Sequence, residues 1–86
     1  MKITRTNRFK RAYKNLPERI QWRVDRALIQ LVQNFRHPSL DAKIIDHERR
    51  IWKARVTKIY RFTFQIEGDT YILRTVGRHD ETLRNP

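Results

Sequence analysis

Cysteine is absent from this 86-residue chain, which excludes a disulfide framework and any thiolate-held metal. Three scattered histidines are too few for an all-imidazole alternative, so no metal site is expected. Acidic residues are scarce: nine Asp and Glu stand against twenty Lys and Arg, a formal charge of +11. No apolar run approaches the roughly 18 residues that suggest a membrane span, and Met1-Lys2-Ile3-Thr4-Arg5 lacks the apolar stretch of a signal peptide. The expected compartment is the cytoplasm, with no membrane association. Repeats and low-complexity segments are missing too. What remains is enough for one small domain over residues 1–86, with Trp22, Trp52, four Phe and three Tyr available to its core.

So basic a balance points to a polyanionic partner, since each cation set beside a phosphate releases condensed counterions. The charge is uneven. Residues 1–36 hold ten basic and two acidic side chains, and residues 37–86 hold ten and seven. The front half is therefore a docking surface for RNA or a pair of solvated helix faces.

The periodicity of the chain changes once. Lys2 to Arg5, with β-branched Ile3 and Thr4, reads as a strand, after which Thr6 or Asn7 can cap a helix. Phe9, Ala12, Tyr13 and Leu16 recur at helical spacing. Pro17 ends that helix and suits the first turn of the next. Ile20, Val24, Ala27, Leu28, Leu31, Val32 and Phe35 then form one apolar stripe at period 3.6, opposite Arg19, Arg23, Arg26, Gln30 and Gln33. Pro38 closes the region. Beyond it the period is 2: a short strand at Lys43 to Asp46, then Trp52 to Thr57, Tyr60 to Ile66, and Thr70 to Val76. Thr57-Lys58 makes one tight connection, and Glu67-Gly68-Asp69 the next, with Gly68 at positive φ. The third of these long strands is apolar on both sides and suits a central place. The expected architecture is α+β, with an N-terminal strand and a helical hairpin packed on an antiparallel sheet of about four strands.

Alternation carries the functional reading. If Trp52, Ala54, Val56, Tyr60, Phe62, Phe64 and Ile66 face the helices, then Lys53, Arg55 and Arg61 share the other face. Cross-strand neighbours lie about 5 Å apart, so like charges there repel and an anion would relieve them. Val76-Gly77-Arg78-His79-Asp80-Glu81 follows, where Gly77 permits a turn or a close approach and delivers Arg78 and His79 to the sheet's end. His79 is the group able to exchange protons near neutrality, its unperturbed pKa being about 6.5. His37 and His47 fall in loops and receive no role. Cleaving RNA without a metal needs a base for the ribose 2′-OH, cations around the phosphorane and an acid for the departing 5′-oxygen. Lys53, Arg55, Arg61, Arg78 and His79 supply cations and an acid. Lys53 can act as base if its cationic neighbours lower its pKa, with Asp41 the weaker candidate.

Trp52-Lys53-Ala54-Arg55-Val56, Ile59-Tyr60-Arg61-Phe62 and the Val76–Glu81 segment, in this order and behind a strand and two helices, resemble the RelE/ParE toxin superfamily over nearly the whole chain. The resemblance implies a ribosome-dependent endoribonuclease toxin that cuts mRNA in the A site by 2′-OH attack and is neutralised by a cognate antitoxin. It assigns catalytic work to Lys53, Arg55, Arg61, Arg78 and His79. Lys43, Arg19, Arg23 and Arg26 are the cations expected to bind RNA. The chain departs from the family pattern after His79, where a Tyr usually follows and Thr82-Leu83 stand here. With Pro86 close behind, little or no C-terminal helix is expected. Two other readings remain: a ParE-like inhibitor of DNA gyrase, and a basic nucleic-acid-binding module that has lost catalysis.

Overall fold

Thr6 ends one element and starts another. Its hydroxyl oxygen accepts from the Phe9 N–H at 3.1 Å, capping a helix, while its own O–H donates to the Leu73 carbonyl at 2.8 Å. The computed structural model describes residues 1–86. They run β1 (Lys2–Arg5), α1 (Asn7–Lys14), α2 (Glu18–Gln33), a 3-10 turn (Pro38–Leu40), β2 (Lys43–Asp46), β3 (Ile51–Arg55), β4 (Tyr60–Glu67), β5 (Thr70–Arg78) and α3 (His79–Arg84).

The stripe of α2 lies against the sheet, with Ile20, Val24, Ala27, Leu28 and Leu31 all buried. Its expected last members differ. The helix stops at Gln33 and Val32 is exposed, so Phe35 leaves the helix and instead meets Trp52 edge-on, with ring centroids 5.6 Å apart. Trp22, counted in sequence as a core ring, is 58% exposed. It stands two residues from Ile20, about 200° around a helix, and so on the opposite side. The buried core is instead built on Phe9, Phe62, Phe64, Leu31 and Leu73, each contributing about 2 kcal/mol through burial.

The four antiparallel strands expected are β2 to β5, and β1 joins them to make a sheet of five in the order β1-β5-β4-β3-β2. β1 joins it parallel to β5, so the sheet is mixed, whereas β2 to β5 are antiparallel neighbours as the alternation predicts. β5 is interior and runs to Arg78, two residues past the expected end, because Gly77 pairs with Arg61 and Arg78 with Tyr60. Gly68 takes φ +58° at the β4–β5 turn, as expected. β3 stops at Arg55, since the Val56 and Thr57 N–H groups both turn to the Tyr60 carbonyl.

The β4–β5 register shifts between Thr63 and Phe64: Thr63 opposes Thr75 while Phe64 opposes Leu73, leaving Arg74 as a surplus residue. This bulge keeps Leu73 and Val76, three apart in sequence, both against the helical layer.

The other side of the sheet is not open. Contrary to expectation, the chain ends in a helix, α3, laid over β4 and β5. Gly77 makes this possible: a Cβ there would lie 2.9 Å from the Thr82 Oγ1. Thr63 and Thr75 of the sheet and Thr82 of α3 itself are buried. The segment after α3 is held by Thr63 and Arg74, which donate to the Pro86 carbonyl at 2.9 and 3.1 Å, and by Arg8, which donates to that of Asn85.

Candidate functional site

The register sets the cations in rows. Lys43 opposes Lys53, and Lys53 opposes Thr63; one row along, Arg55 opposes Arg61, and Arg61 opposes Gly77. Lys53, Arg55 and Arg61 therefore share a face, the one α3 crosses. Arg61 differs from expectation in being buried, 8% exposed.

Burial requires partners, and Arg61 has them. Its Nη1 donates to the carbonyls of Thr57, Lys58 and Tyr60 at 2.5, 3.2 and 3.0 Å. The Thr57 hydroxyl oxygen accepts from the N–H groups of Ile59 and Tyr60, both at 3.1 Å. Arg61 thus shapes the Val56–Ile59 loop and is more than a free cation. Burial, and next the charge of Arg55, push its guanidinium below the ordinary value, with Asp41 pulling the other way. A guanidinium remains charged under such a shift.

His79 opens α3. Its backbone N–H donates to the Ile59 carbonyl at 2.7 Å, joining α3 to the same loop. The ring is half-exposed and its Nδ1 lies 3.2 Å from Asp80 Oδ1. With Arg55, Lys58, Ile59, Arg61, Arg78 and Asp80 it lines an open depression of about 460 Å³. Four of the five residues expected to do chemistry are brought together here: Arg55, Arg61, Arg78 and His79. Lys53 is on the same face but outside this lining, one row away. Asp41 reaches the edge of the site, its two carboxylate oxygens 3.5 Å from Lys43 Nζ and 3.7 Å from the Arg55 guanidinium.

The cations expected to bind RNA separate. Arg23 and Arg26 line a groove with Arg55 and Lys58. Arg19 lies in another hollow, beside Glu18 and Asp25, and Lys43 stands on the edge strand β2. Two contributors escaped the sequence reading. Lys58, taken there for part of a tight turn, lines both depression and groove; its signal was a cation in the short connection between Arg55 and Arg61. Trp22 also lines the groove, and its place off the apolar stripe was the signal. No three His, Asp or Glu side chains gather closely enough to hold a metal ion. No helix is long and apolar enough to cross a membrane.

A helical hairpin on one side of a five-stranded mixed sheet is an architecture that this chain shares with solved toxin structures. Solved structures of this fold superpose on nearly the whole chain. A YoeB/ParE toxin from Agrobacterium tumefaciens does so with a TM-score of 0.77 at 14% identity, covering 92% of this chain and 99% of its own. The RelB–RelE antitoxin–toxin complex from Methanococcus jannaschii gives 0.69 at 24% identity over 90% and 91%. The heterotetrameric YoeB–YefM toxin–antitoxin complex from Staphylococcus aureus gives 0.73 at 11% over 92% and 97%. No family model and no curated protein matches the sequence.

Proposed function

We propose that this chain is the toxin of a toxin–antitoxin pair, a ribosome-dependent endoribonuclease that cuts mRNA in the A site. The observation that carries the reading is the convergence of Arg55, Arg61, Arg78 and His79 on one depression, in a fold shared with proteins described as toxins.

The chemistry follows from the groups. The ribose 2′-oxygen attacks the adjacent phosphorus and gives up its proton to a base. The bond to the 5′-oxygen breaks, leaving a 2′,3′-cyclic phosphate and a 5′-hydroxyl. Arg55 and Arg78, both exposed, and Arg61 behind them place three fixed positive charges around the phosphorane, where charge develops. His79 in its imidazolium form delivers the proton to the leaving oxygen. Asp41, ion-paired to Arg55, and Lys53, one row along β3, are the two groups next to the site on the remaining side.

The antitoxin reading is supported by the toxin–antitoxin complexes among the structures of this fold and by the net charge of +11, which an acidic chain would neutralise.

Ribosomes loaded with a defined mRNA, incubated with folded protein and mapped by primer extension, test the function. Cuts within the A-site codon are expected, lost in His79→Ala. Comparing Lys53→Ala and Asp41→Asn assigns the base: the variant that removes the limb rising with pH on the acidic side of the pH–rate profile has lost it. Intact message would overturn the reading, and inhibited DNA supercoiling beside it would move the protein to the gyrase-directed one.

A further inference from the structure

α2 turns Arg19, Trp22, Arg23 and Arg26 outward at spacings of three and four. An indole 58% exposed in the middle of this face loses the stabilisation that burial would give it, and it packs instead under a cation, the Arg26 guanidinium carbon lying 5.2 Å from the ring centre.

Trp22 is a wall between two unlike hollows. On one side stand Glu18 and Asp25. On the other is the groove of about 430 Å³ whose charged lining is Arg23, Arg26, Arg55 and Lys58, with no carboxylate among the residues that form it. Arg55 and Lys58 also line the depression that holds Arg61, Arg78 and His79, so groove and depression are continuous through these two side chains. Neither lining contains another aromatic carbocycle. Thr82, in the segment that follows His79, is buried against Gly77.

We infer that Trp22, with Arg26 stacked on it, is a base-stacking subsite for single-stranded RNA whose adjoining phosphates run past Arg55 and Lys58 into the His79 depression. This rests on the ribonuclease reading above. Single-stranded RNA is held by flat aromatic and guanidinium surfaces beside a cationic track, and both are present here in register with the candidate site. An acidic peptide would be drawn to the same cations, but a flat ring under a guanidinium beside a cationic track is what a planar base with its phosphates fits.

The test is the affinity of a labelled eight-nucleotide RNA, 2′-O-methylated so that it cannot be cut, measured by fluorescence anisotropy at fixed salt. Trp22→Ala is expected to weaken binding about tenfold, and Trp22→Phe to recover most of the loss. An oligonucleotide with abasic positions should bind the wild-type chain and Trp22→Ala alike. Equal RNA affinity with and without the indole would overturn the inference, as would an equal loss on the abasic strand. A Glu-rich peptide of matched charge that depends on Trp22 while the RNA does not would assign the face to a protein partner and overturn it too. The ribosome assay separates the two claims. Cleavage with Trp22-independent binding removes only the subsite; Trp22-dependent binding with intact message removes only the nuclease.

Discussion

Arg55 and Arg61 face each other directly across β3 and β4, two guanidinium side chains on one side of the sheet, and the carboxylate set against them is Asp41, 3.7 Å from Arg55. Like charges opposed in this way work against folding unless an anion lies between them. The arrangement is therefore better suited to the bound state than to the free one.

Replacing Arg55 by Gln should raise stability by about 0.5 kcal/mol in urea titrations at low salt, since it removes the repulsion. The same change should slow cleavage on ribosomes about 100-fold, the usual scale for one lost phosphorane contact. Adding short RNA should stabilise the wild-type chain more than the variant.

Arg61→Ala behaves differently because the side chain has two tasks. Three carbonyls of the Val56–Tyr60 region lose their donor, at a cost of about 2 kcal/mol read from the urea midpoint. Cleavage should vanish even at temperatures where circular dichroism is native. Arg61→Lys should recover part of the stability and little of the activity, because an ammonium is a point charge without the planar fork.

Gly77→Ala brings a methyl group to the position 2.9 Å from the buried Thr82 hydroxyl, so α3 must lift. The expected cost is about 1–3 kcal/mol, with a larger proportional loss of cleavage because His79 opens that helix. Adding Thr82→Ala removes the colliding atom. The double variant should lose clearly less than the sum of the two single ones, and strict additivity would refute the contact.

Asp46 accepts from the backbone N–H and from the Nε of Arg49, both at 2.9 Å. These bonds, the backbone one first, hold its carboxyl below the ordinary 3.8. A depressed carboxylate contributes stability above the unfolded pKa and loses it as pH falls through the folded one. The gap in melting temperature between wild type and Asp46→Asn should therefore be full at neutrality and close progressively below about pH 4.

Much of the fold is legible in the sequence, because burial imposes its period on it. The α2 stripe and the strand alternation of β3 and β4 identify which side chains meet the core, and they also fix the common face of Lys53, Arg55 and Arg61. The parallel pairing of β1 with β5 depends on residues nearly seventy positions apart and leaves no local signature. α3 is short, polar and without a side-chain cap, so nothing in His79–Arg84 announces a helix; it exists because Gly77 and two threonines leave room for Thr82.

The candidate site divides along the same line. That Arg55, Arg61, Arg78 and His79 converge follows from register and strand ends. The burial of Arg61 goes with the three loop carbonyls that its guanidinium meets, a contact with no signature in the strand alternation. The separation of Arg19 from Arg23 and Arg26 is decided by Trp22, whose exposure follows from counting angles around the helix.

The surplus residue Arg74 has a consequence beyond its own strand. It resets the in–out parity of everything that follows on β5. Were the pairing regular at that point, with every residue kept, Thr75, Val76 and Gly77 would exchange sides. The chain would then reach His79 a half-turn out of phase, its imidazole sent toward the aromatic interior while a valine looked out at the arginines. A single irregularity in pairing thus sets the side on which the chain arrives at His79, five positions further on.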